Sequence, residues 1–355
     1  MALKQKKETP KKSNSAEMQK LLDSINKKFG DNAVTLGVPS GDNEVIKRIP
    51  TGSVALDVAL GGGIPVGRYT EISGGLSTTK STQCAHIVRN AQKMGYKCAF
   101  IDVEATTTRE YLRACGVDTD ELLYSRPVGL EEATQIVIDM ESSGLVQLAV
   151  IDSIAALSPT KEQDSKMEES VQMGLVPKLL GEFFRKYQAF NNKLVREGNE
   201  PFTLICVNQL REKIGSYGSP EYTPGGRANG FVQSVAIRFR RGDWIVQGTG
   251  TNKEIIGQVV KFKIEKNKTY RRNQEGSFDF YYSENEAGVT PNYNDNNKSI
   301  IMLGVEWGII ERKGAWFYYA DNKYQGIPAL VKALSEDENL FEKLKTEVME
   351  RVISR

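Results

Sequence analysis

Short apolar runs alternate with amphipathic stretches of helical period between residues 68 and 208, and this alternation limits the fold more than any other feature. Four mainly apolar runs are typical of strands buried on both faces, and they lie at residues 69–72, 98–101, 148–151 and 202–207. The stretch at residues 82–94 has the period of a helix and is followed by Gly95, a helix stop signal. The pattern predicts an α/β fold with a doubly wound, mainly parallel sheet.

Polar side chains follow each of the four predicted strands. The first strand is followed by residues 74–81, which read GGLSTTKS, and the second by Asp102 and Glu104. Asp152 ends the third strand, and Asn208 and Gln209 end the fourth. Because ligands of open α/β sheets bind beyond the carboxyl ends of the strands, we expect these side chains to form one site.

The segment after the first strand has the length and placement of a phosphate-binding loop, GxxxxGK[ST]. In such loops the backbone N–H groups wrap the phosphates, the lysine (here Lys80) neutralises the β- and γ-phosphates, and the next hydroxyl (Ser81) binds Mg²⁺. Thr79 stands where the motif has glycine. A left-handed backbone there would cost a β-branched residue about 1–2 kcal/mol. A flexible Ser/Thr-rich loop beside a lysine is the alternative interpretation of this motif alone.

The other strand ends favour nucleotide hydrolysis. Asp152 has the position of a Walker B acid that holds the magnesium shell. Glu104 is the candidate to orient or deprotonate an attacking water. Gln209 carries an amide that could bond a γ-phosphate and begins a long loop, so it is a candidate sensor. The four strand ends together predict hydrolysis of a nucleoside triphosphate.

Several segments, in this order and spacing, resemble the bacterial RecA recombinases, and the resemblance extends over nearly the whole chain. The segments are PTGSVALD at 50–57, AFIDVE at 99–104, VIDSIAAL at 150–157, MGL at 173–175, VNQLR at 207–211, KIG at 213–215, PGG at 224–226, KNK at 266–268 and GAW at 314–316. The resemblance implies a P-loop ATPase core that forms filaments and pairs single-stranded DNA with homologous double-stranded DNA in recombination and DNA repair.

The resemblance also assigns roles to residues around ATP and Mg²⁺. Glu104, Lys80 and Gln209 would be catalytic, with Gln209 coupling ATP to DNA. Tyr111 would stack on adenine, with Thr108 nearby. Lys266 and Lys268 would reach ATP across a subunit interface, although a solvated strand end also explains them. The full expected nucleotide set is Gly74, Gly75, Leu76, Ser77, Thr78, Thr79, Lys80, Ser81, Thr82, Thr108, Tyr111, Asp152, Lys266 and Lys268, with Ser81 and Asp152 as the metal ligands.

Two polar, glycine-bearing segments, residues 162–173 and 210–226, are too long for tight turns and are therefore predicted binding loops. They match the two DNA loops of the family. The expected DNA contacts of this region are Met173, Gly174, Lys178, Arg185, Arg211, Ile214, Gly225 and Gly226. A secondary DNA site is expected at Arg240, Arg241, Lys261 and Lys263, for which ordinary surface charge is the competing explanation.

The rest of the chain suggests further units. We predict a basic tail at residues 1–14, an N-terminal helix and linker at 15–45, the ATPase core at 46–284 and a small C-terminal α/β domain at 285–355, bounded by an Asn-rich loop at 284–298. The N-terminal helix has one apolar face, which must dock on the body of the protein or on a neighbouring copy. Residues 234–241 and 256–266 alternate with period two and are predicted antiparallel strands that extend the sheet.

Composition excludes several classes of protein. No apolar run approaches the roughly 20 residues of a membrane span, and no apolar region follows the basic N-terminus, so we expect a cytoplasmic protein. Four scattered cysteines and the single His86 make disulfide frameworks, zinc sites and Ser-His-Asp triads improbable. A net charge of +2 means that any nucleic-acid surface must come from local clusters.

Three functions remain open from the sequence. The leading one is a strand-exchange ATPase whose partners are single- and double-stranded DNA, further copies of itself in a helical filament, and mediator proteins. The second is a nucleotide-binding filament or accessory protein with weak or lost ATP hydrolysis, because Thr79 alters the phosphate loop. The third is a hexameric helicase on the same core fold, against which the two DNA loops and the lysine pair argue.

Overall fold

The computed structural model describes residues 13–37, 46–165, 174–212, 221–222, 224, 226–248, 250, 252–284 and 289–353. The helices are α1 Ser13–Phe29, α2 Val54–Leu60, α3 Lys80–Lys93, α4 Arg109–Ala114, α5 Leu130–Ser143, α6 Thr160–Asp164, α7 Leu175–Arg196, α8 Gly226–Val232, α9 Asn296–Glu306, α10 Gly326–Glu336 and α11 Glu338–Ile353. The strands are β1 Arg48–Ile49, β2 Ile64–Pro65, β3 Tyr69–Gly74, β4 Cys98–Asp102, β5 Leu122–Ser125, β6 Leu148–Asp152, β7 Thr203–Gln209, β8 Arg211–Glu212, β9 Glu221–Tyr222, β10 Val235–Gln247, β11 Glu254–Asn267, β12 Glu275–Tyr281, β13 Tyr293–Asn294, β14 Glu311–Lys313, β15 Trp316–Tyr319 and β16 Asn322–Gln325.

The central sheet confirms the predicted α/β fold. Within the described residues its strand order is β13-β12-β11-β10-β3-β7-β6-β4-β5. The four predicted strands are β3, β7, β6 and β4, which are adjacent and parallel. Their carboxyl ends therefore meet at one edge of the sheet, where the functional residues were expected.

The two predicted antiparallel strands that extend the sheet are confirmed as β10 and β11. β10 pairs with β11 antiparallel but with β3 parallel, for example Val235 with Thr70, so the antiparallel part begins only at β11. Period-two alternation reports that one face of a strand is buried and carries no information on direction. The connection from β7 to β10 contains α8, and a crossover of this length allows a parallel strand.

Apolar clusters cover both faces of the sheet. On one face α3 packs Ile87 and Val88 against strand residues such as Phe100. On the other face α5 and α7 pack Val137 and Phe184 against the opposite side chains of the same strands. The result is a three-layer arrangement in which the strand ends, rather than the faces, are left for chemistry.

The C-terminal part, α9–α11 with β14–β16, has its own apolar cluster, to which Val54 of α2 contributes. The predicted Asn-rich loop at 284–298 is wrong for its second half. Tyr293 and Asn294 pair with β12, and Asp295 caps α9 by accepting a hydrogen bond from the backbone N–H of Lys298 at 3.0 Å. Asparagine and aspartate favour helix caps as well as loops, so composition alone did not separate the two.

The predicted N-terminal helix is α1. Its Leu22 is buried, whereas Met18, Leu21 and Phe29 on the same face are 44, 54 and 61% exposed. In α7 the helix begins at Leu175, so Pro177 lies in its first turn, where proline is tolerated. Among the described residues, no helix has both the length and the apolar character needed to cross a membrane.

Candidate functional site

The predicted phosphate loop connects the end of β3 to the start of α3. Gly74 is required there, because a Cβ atom would lie 2.7 Å from the carbonyl oxygen of Phe239. The hydroxyl of Thr78 and the Nζ of Lys80 both donate to the carbonyl oxygen of Gly75, at 2.9 and 2.7 Å. The lysine side chain therefore lies across its own loop, as a phosphate-neutralising group must.

Thr79 adopts the left-handed conformation that the motif normally gives to glycine, with φ 62° and ψ 19°. For a β-branched residue this conformation costs about 1–2 kcal/mol. Among the described residues, no partner hydrogen-bonds its buried Oγ1. The threonine is therefore strained locally, but it does not prevent the loop from forming.

Asp152 and Ser81 lie together beside Lys80. Burial raises the pKa of Asp152 to about 6, against the opposing effects of a hydrogen bond from Ser81 and of the charge of Lys80. Burial lowers the pKa of Lys80, and the carboxylates of Asp152 and Glu104 oppose that shift. A buried carboxylate next to a hydroxyl offers the oxygen ligands that Mg²⁺ prefers, so these two residues fit a magnesium site.

Glu104, which follows β4, is hydrogen-bonded to residues at the ends of β6 and β7. Its Oε1 accepts a hydrogen bond from Nε2 of Gln209 at 2.7 Å and another from the hydroxyl of Ser153 at 2.7 Å. Glu104 itself is exposed. A carboxylate held by two donors but open on its outer side is suited to accept a proton from water.

On the side expected for adenine, Tyr111 of α4 is half-buried and hydrogen-bonds the hydroxyl of Thr82 of α3. Burial raises the pKa of Tyr111 to about 12. The hydroxyl of Thr108 caps α4 by accepting from the backbone N–H of Tyr111 at 3.1 Å. Thr108 thus positions the helix that carries the tyrosine.

Lys266 and Lys268 do not join the phosphate loop of their own chain. Their Nζ atoms donate to backbone carbonyls at the end of α8, Lys266 to Gly230 at 2.6 Å and Lys268 to Phe231 at 3.2 Å. Cations at a helix C-terminus are favourable because the last carbonyls lack helical partners.

The expected DNA residues are only partly described. Gly174 precedes α7 with φ 92°, Lys178 and Arg185 are exposed on α7, Arg211 lies in β8, and Gly226 begins α8. A Cβ atom on Gly226 would lie 3.1 Å from Cβ of Pro177, so the first turn of α7 lies next to the start of α8. Met173, Ile214 and Gly225 lie outside the described residues.

The four basic residues of the expected secondary site lie on the β10–β11 hairpin. Arg240 is directly opposite Lys261, and the guanidinium of Arg241 lies 4.6 Å from the ring centroid of Trp244. Lys263 forms a 2.5 Å ion pair with Glu275, which reduces its net charge at the surface. The register therefore places Arg240, Lys261 and Lys263 on one face of the hairpin and Arg241, opposite Val260, on the other.

Two residues without a predicted role contact the site. Ser153 donates a hydrogen bond to Glu104, and its position directly after Asp152 in the sequence could have indicated that it lies in the site. Gln258 of β11 is buried and donates from Nε2 to the carbonyl oxygen of Ser77 in the phosphate loop at 2.9 Å. The sequence feature that could have indicated Gln258 is its place two residues before Val260 and four before Phe262, which puts a polar side chain on the inward-facing side of the strand.

Comparisons with known proteins agree with the geometry. Residues 16–287 match the RecA N-terminal domain, and residues 298–353 match the RecA C-terminal domain. Among curated relatives, a protein named "Protein RecA" from Lactococcus lactis subsp. cremoris is 38% identical over 91% of this chain and 80% of its own length. Proteins of the same name from Cutibacterium acnes and Chloroherpeton thalassium are 41 and 37% identical over 84 and 94% of this chain and 80 and 88% of their own lengths.

Proposed function

The chain belongs to the RecA family of DNA-dependent ATPases and recombinases, and we propose that it hydrolyses ATP at the ends of β3, β4, β6 and β7. The observation that carries this proposal is the contact of Gln209 with Glu104 at the same sheet edge as Lys80 and Asp152. Coupled to this hydrolysis, the protein forms helical filaments on single-stranded DNA and exchanges strands with homologous double-stranded DNA.

The loop at residues 74–82 holds the phosphates of ATP, and Lys80 neutralises the β- and γ-phosphates. Tyr111 faces the base. Ser81 and Asp152 hold Mg²⁺, which when bound draws charge from the phosphate oxygens. The buried carboxylate, the adjacent hydroxyl and the lysine support this arrangement.

Glu104 accepts a proton from a water molecule as the water oxygen bonds to the γ-phosphorus and the bond from that phosphorus to the β-phosphate oxygen breaks. The side-chain amide of Gln209 donates a hydrogen bond to Oε1 of Glu104. A γ-phosphate that competes for the Gln209 amide would move this residue, and with it the start of the loop at 210–226. That loop and the one at 162–173 hold DNA, chiefly through phosphate contacts that are sensitive to salt.

The filament forms when α1 docks on a neighbouring copy, which the exposed apolar side chains of Met18, Leu21 and Phe29 support. In the filament Lys266 and Lys268 reach the ATP of the adjacent subunit. The hairpin cations at 240–241 and 261–263 form a second DNA site. The chain is organised in four units, at residues 1–14, 15–45, 46–284 and 285–355. Its location is cytoplasmic, and mediator proteins are further partners.

The accessory-protein alternative has less support, because Glu104, Ser153 and Gln209 are already assembled despite Thr79. The matches to both RecA domains likewise favour a recombinase over a hexameric helicase.

The test measures ATP hydrolysis with and without single-stranded DNA, and strand exchange between a circular single strand and its homologous linear duplex. Hydrolysis stimulated by DNA together with exchanged product supports the proposal. Nucleotide binding without hydrolysis would favour the accessory protein, and unwinding of a forked duplex would favour a helicase.

A further inference from the structure

A buried carboxylate beside the catalytic strand end has no role in the chemistry described above. Glu71 lies on β3, which pairs with β7 so that Glu71 is opposite Cys206. Its side chain is 3% exposed. Oε2 of Glu71 accepts hydrogen bonds from the side-chain amides of Asn208, at 3.3 Å, and of Asn229. One oxygen therefore joins strand β7 to helix α8.

Asn208 connects this carboxylate to both ends of the second predicted DNA loop. Its Nδ2 also donates to the carbonyl oxygen of Pro224 at 2.9 Å. Its Oδ1 accepts from the backbone N–H of Gln209 at 3.0 Å. A displacement of Gln209 must therefore change the position of Asn208, and through it the contact with Pro224.

Asn229 connects the same carboxylate to α8. It is 2% exposed, and its Oδ1 accepts from the hydroxyl of Tyr69 at 2.5 Å. The helix begins where the DNA loop ends, and its last carbonyls bind Lys266 and Lys268. Asn229 thus holds the middle of α8 against β3. The predicted DNA loop lies at the N-terminal end of the helix, and the lysine pair lies at its C-terminal end.

We propose that Glu71 is a positioning residue that couples occupancy of the ATP site to the grip of the second DNA loop and to the lysine pair. This inference rests on the proposed function. The two amides share one acceptor, so movement of Asn208 with Gln209 alters the hold on Asn229 and hence on α8. Because the group is buried, water does not replace a lost contact, so breaking either hydrogen bond leaves a buried polar group unpaired and carries a free-energy cost.

Burial raises the pKa of Glu71, and the amides of Asn229 and Asn208 counteract that rise. The two amides that Glu71 couples therefore contribute most to the stability of its charged form, and the charge of Arg238 contributes less. Loss of either amide therefore makes the charged form of Glu71 less favourable.

The experiment measures a coupling factor, the ratio of affinities for a fluorescent oligothymidylate with and without a slowly hydrolysed ATP analogue. The variants are Glu71→Leu, which removes the acceptor, Asn229→Leu, which removes one donor, and Glu71→Gln, which keeps an oxygen for both amides. Glu141→Leu is the matched control, because Glu141 is an equally buried glutamate on α5. Thermal unfolding shows whether each variant is folded.

We expect Glu71→Leu and Asn229→Leu to reduce the coupling factor by about 5-fold or more, within the usual range of such couplings. Affinity for the analogue without DNA should change less than about 2-fold, because neither residue contacts the phosphate loop. Glu71→Gln and Glu141→Leu should retain most of the factor. By linkage, the analogue's affinity with and without DNA must give the same ratio, which provides an internal check.

A purely structural role would lower the unfolding temperature and leave the coupling factor unchanged, and that result in both Glu71→Leu and Asn229→Leu would overturn the assignment. An equal loss in Glu141→Leu would overturn it as well. If the wild-type factor is one, the proposed function itself is contradicted. A wild-type factor well above one that survives in the variants contradicts only the role of Glu71.

Discussion

Gln209 donates a 2.7 Å hydrogen bond from Nε2 to Oε1 of Glu104, so the proposed sensor of the γ-phosphate is bonded to the proposed acceptor of the water proton. The same oxygen accepts from Ser153. A change in the position of Gln209 therefore alters the environment of Glu104 directly. This gives a physical route by which the state of the proposed DNA-binding loop would change the rate of hydrolysis.

Replacement of Glu104 by glutamine should abolish turnover while ATP and DNA binding persist. The amide keeps the shape of the side chain but does not accept a proton, and general-base catalysis typically contributes 10²–10⁴-fold. Steady-state hydrolysis and equilibrium binding measure the two effects separately. Glu110→Gln, an exposed position on α4, is the control. Normal hydrolysis by Glu104→Gln would refute the role given to Glu104.

Substitution of Gln209 by alanine should remove the stimulation of hydrolysis by single-stranded DNA, with ATP binding retained. The side chain contacts Glu104 but lies outside the phosphate loop, so its loss affects communication more than affinity. Hydrolysis rates over a range of DNA concentrations measure the effect. A variant that responds to DNA like the wild type would show that this contact carries no signal.

Thr79→Gly should leave hydrolysis unchanged or raise it. The left-handed backbone at this position costs threonine about 1–2 kcal/mol, which glycine avoids, although glycine loses roughly 0.5–1 kcal/mol through greater unfolded-state freedom. The net change in unfolding free energy should therefore be small and stabilising. Ser77→Gly, at φ 55°, is a matched control in the same loop. Loss of nucleotide binding in Thr79→Gly would mean that the threonine is adapted to this loop.

Glu141 should make the protein less stable as pH rises. Burial raises the pKa of Glu141 from 4.5 to about 9, and within the described residues neither carboxylate oxygen has a partner. The folded state holds this proton while the unfolded state releases it near pH 4.5, so the stabilisation present below that pH is lost between about 4.5 and 9.

Glu141→Leu should therefore flatten the dependence of the unfolding temperature on pH and increase stability at pH 8 by about 1–3 kcal/mol. Thermal unfolding from pH 5 to 9 tests this. Glu182→Gln, at an exposed position on α7, should leave the slope as in the wild type. An unchanged slope in Glu141→Leu would show that this carboxyl ionises freely in the folded state.

Leu21→Glu should weaken self-assembly without unfolding the monomer. Leu21 is 54% exposed on the apolar face of α1, so a charge there costs little in the isolated chain but would be buried at a docked surface. Light scattering with ATP and single-stranded DNA measures filament formation. Gln19→Glu adds the same charge on the polar side of the helix and should assemble normally. Equal assembly by Leu21→Glu would place the docking surface elsewhere.

The grouping of the site's side chains could be predicted from the sequence because buried parallel strands are mainly apolar and their carboxyl ends share one edge. Lys80, Glu104, Asp152 and Gln209 each follow such a run. The contacts of Gln258 with the phosphate loop could not be predicted, since they depend on the register of β11, far away in sequence.

The same limit applies to the connections of α8. Helix α8 is hydrogen-bonded to Glu71, 158 positions from Asn229, and to Lys266, 36 positions from Gly230. No local sequence pattern encodes such contacts. The parallel pairing of β10 with β3 has no signal in the sequence, because alternation along a strand is the same in both directions. The grouping of polar side chains at one sheet edge was therefore predictable from the sequence, whereas the contacts of α8 required the tertiary structure.

The most direct measurement is electron cryomicroscopy of the protein with a slowly hydrolysed ATP analogue and single-stranded DNA. The account predicts helical filaments with the analogue's phosphates at Lys80, the γ-phosphate next to Glu104 and Gln209, and DNA against the loops at 162–173 and 210–226. Particles without helical order, or an analogue bound away from the ends of β3, β4, β6 and β7, would contradict it.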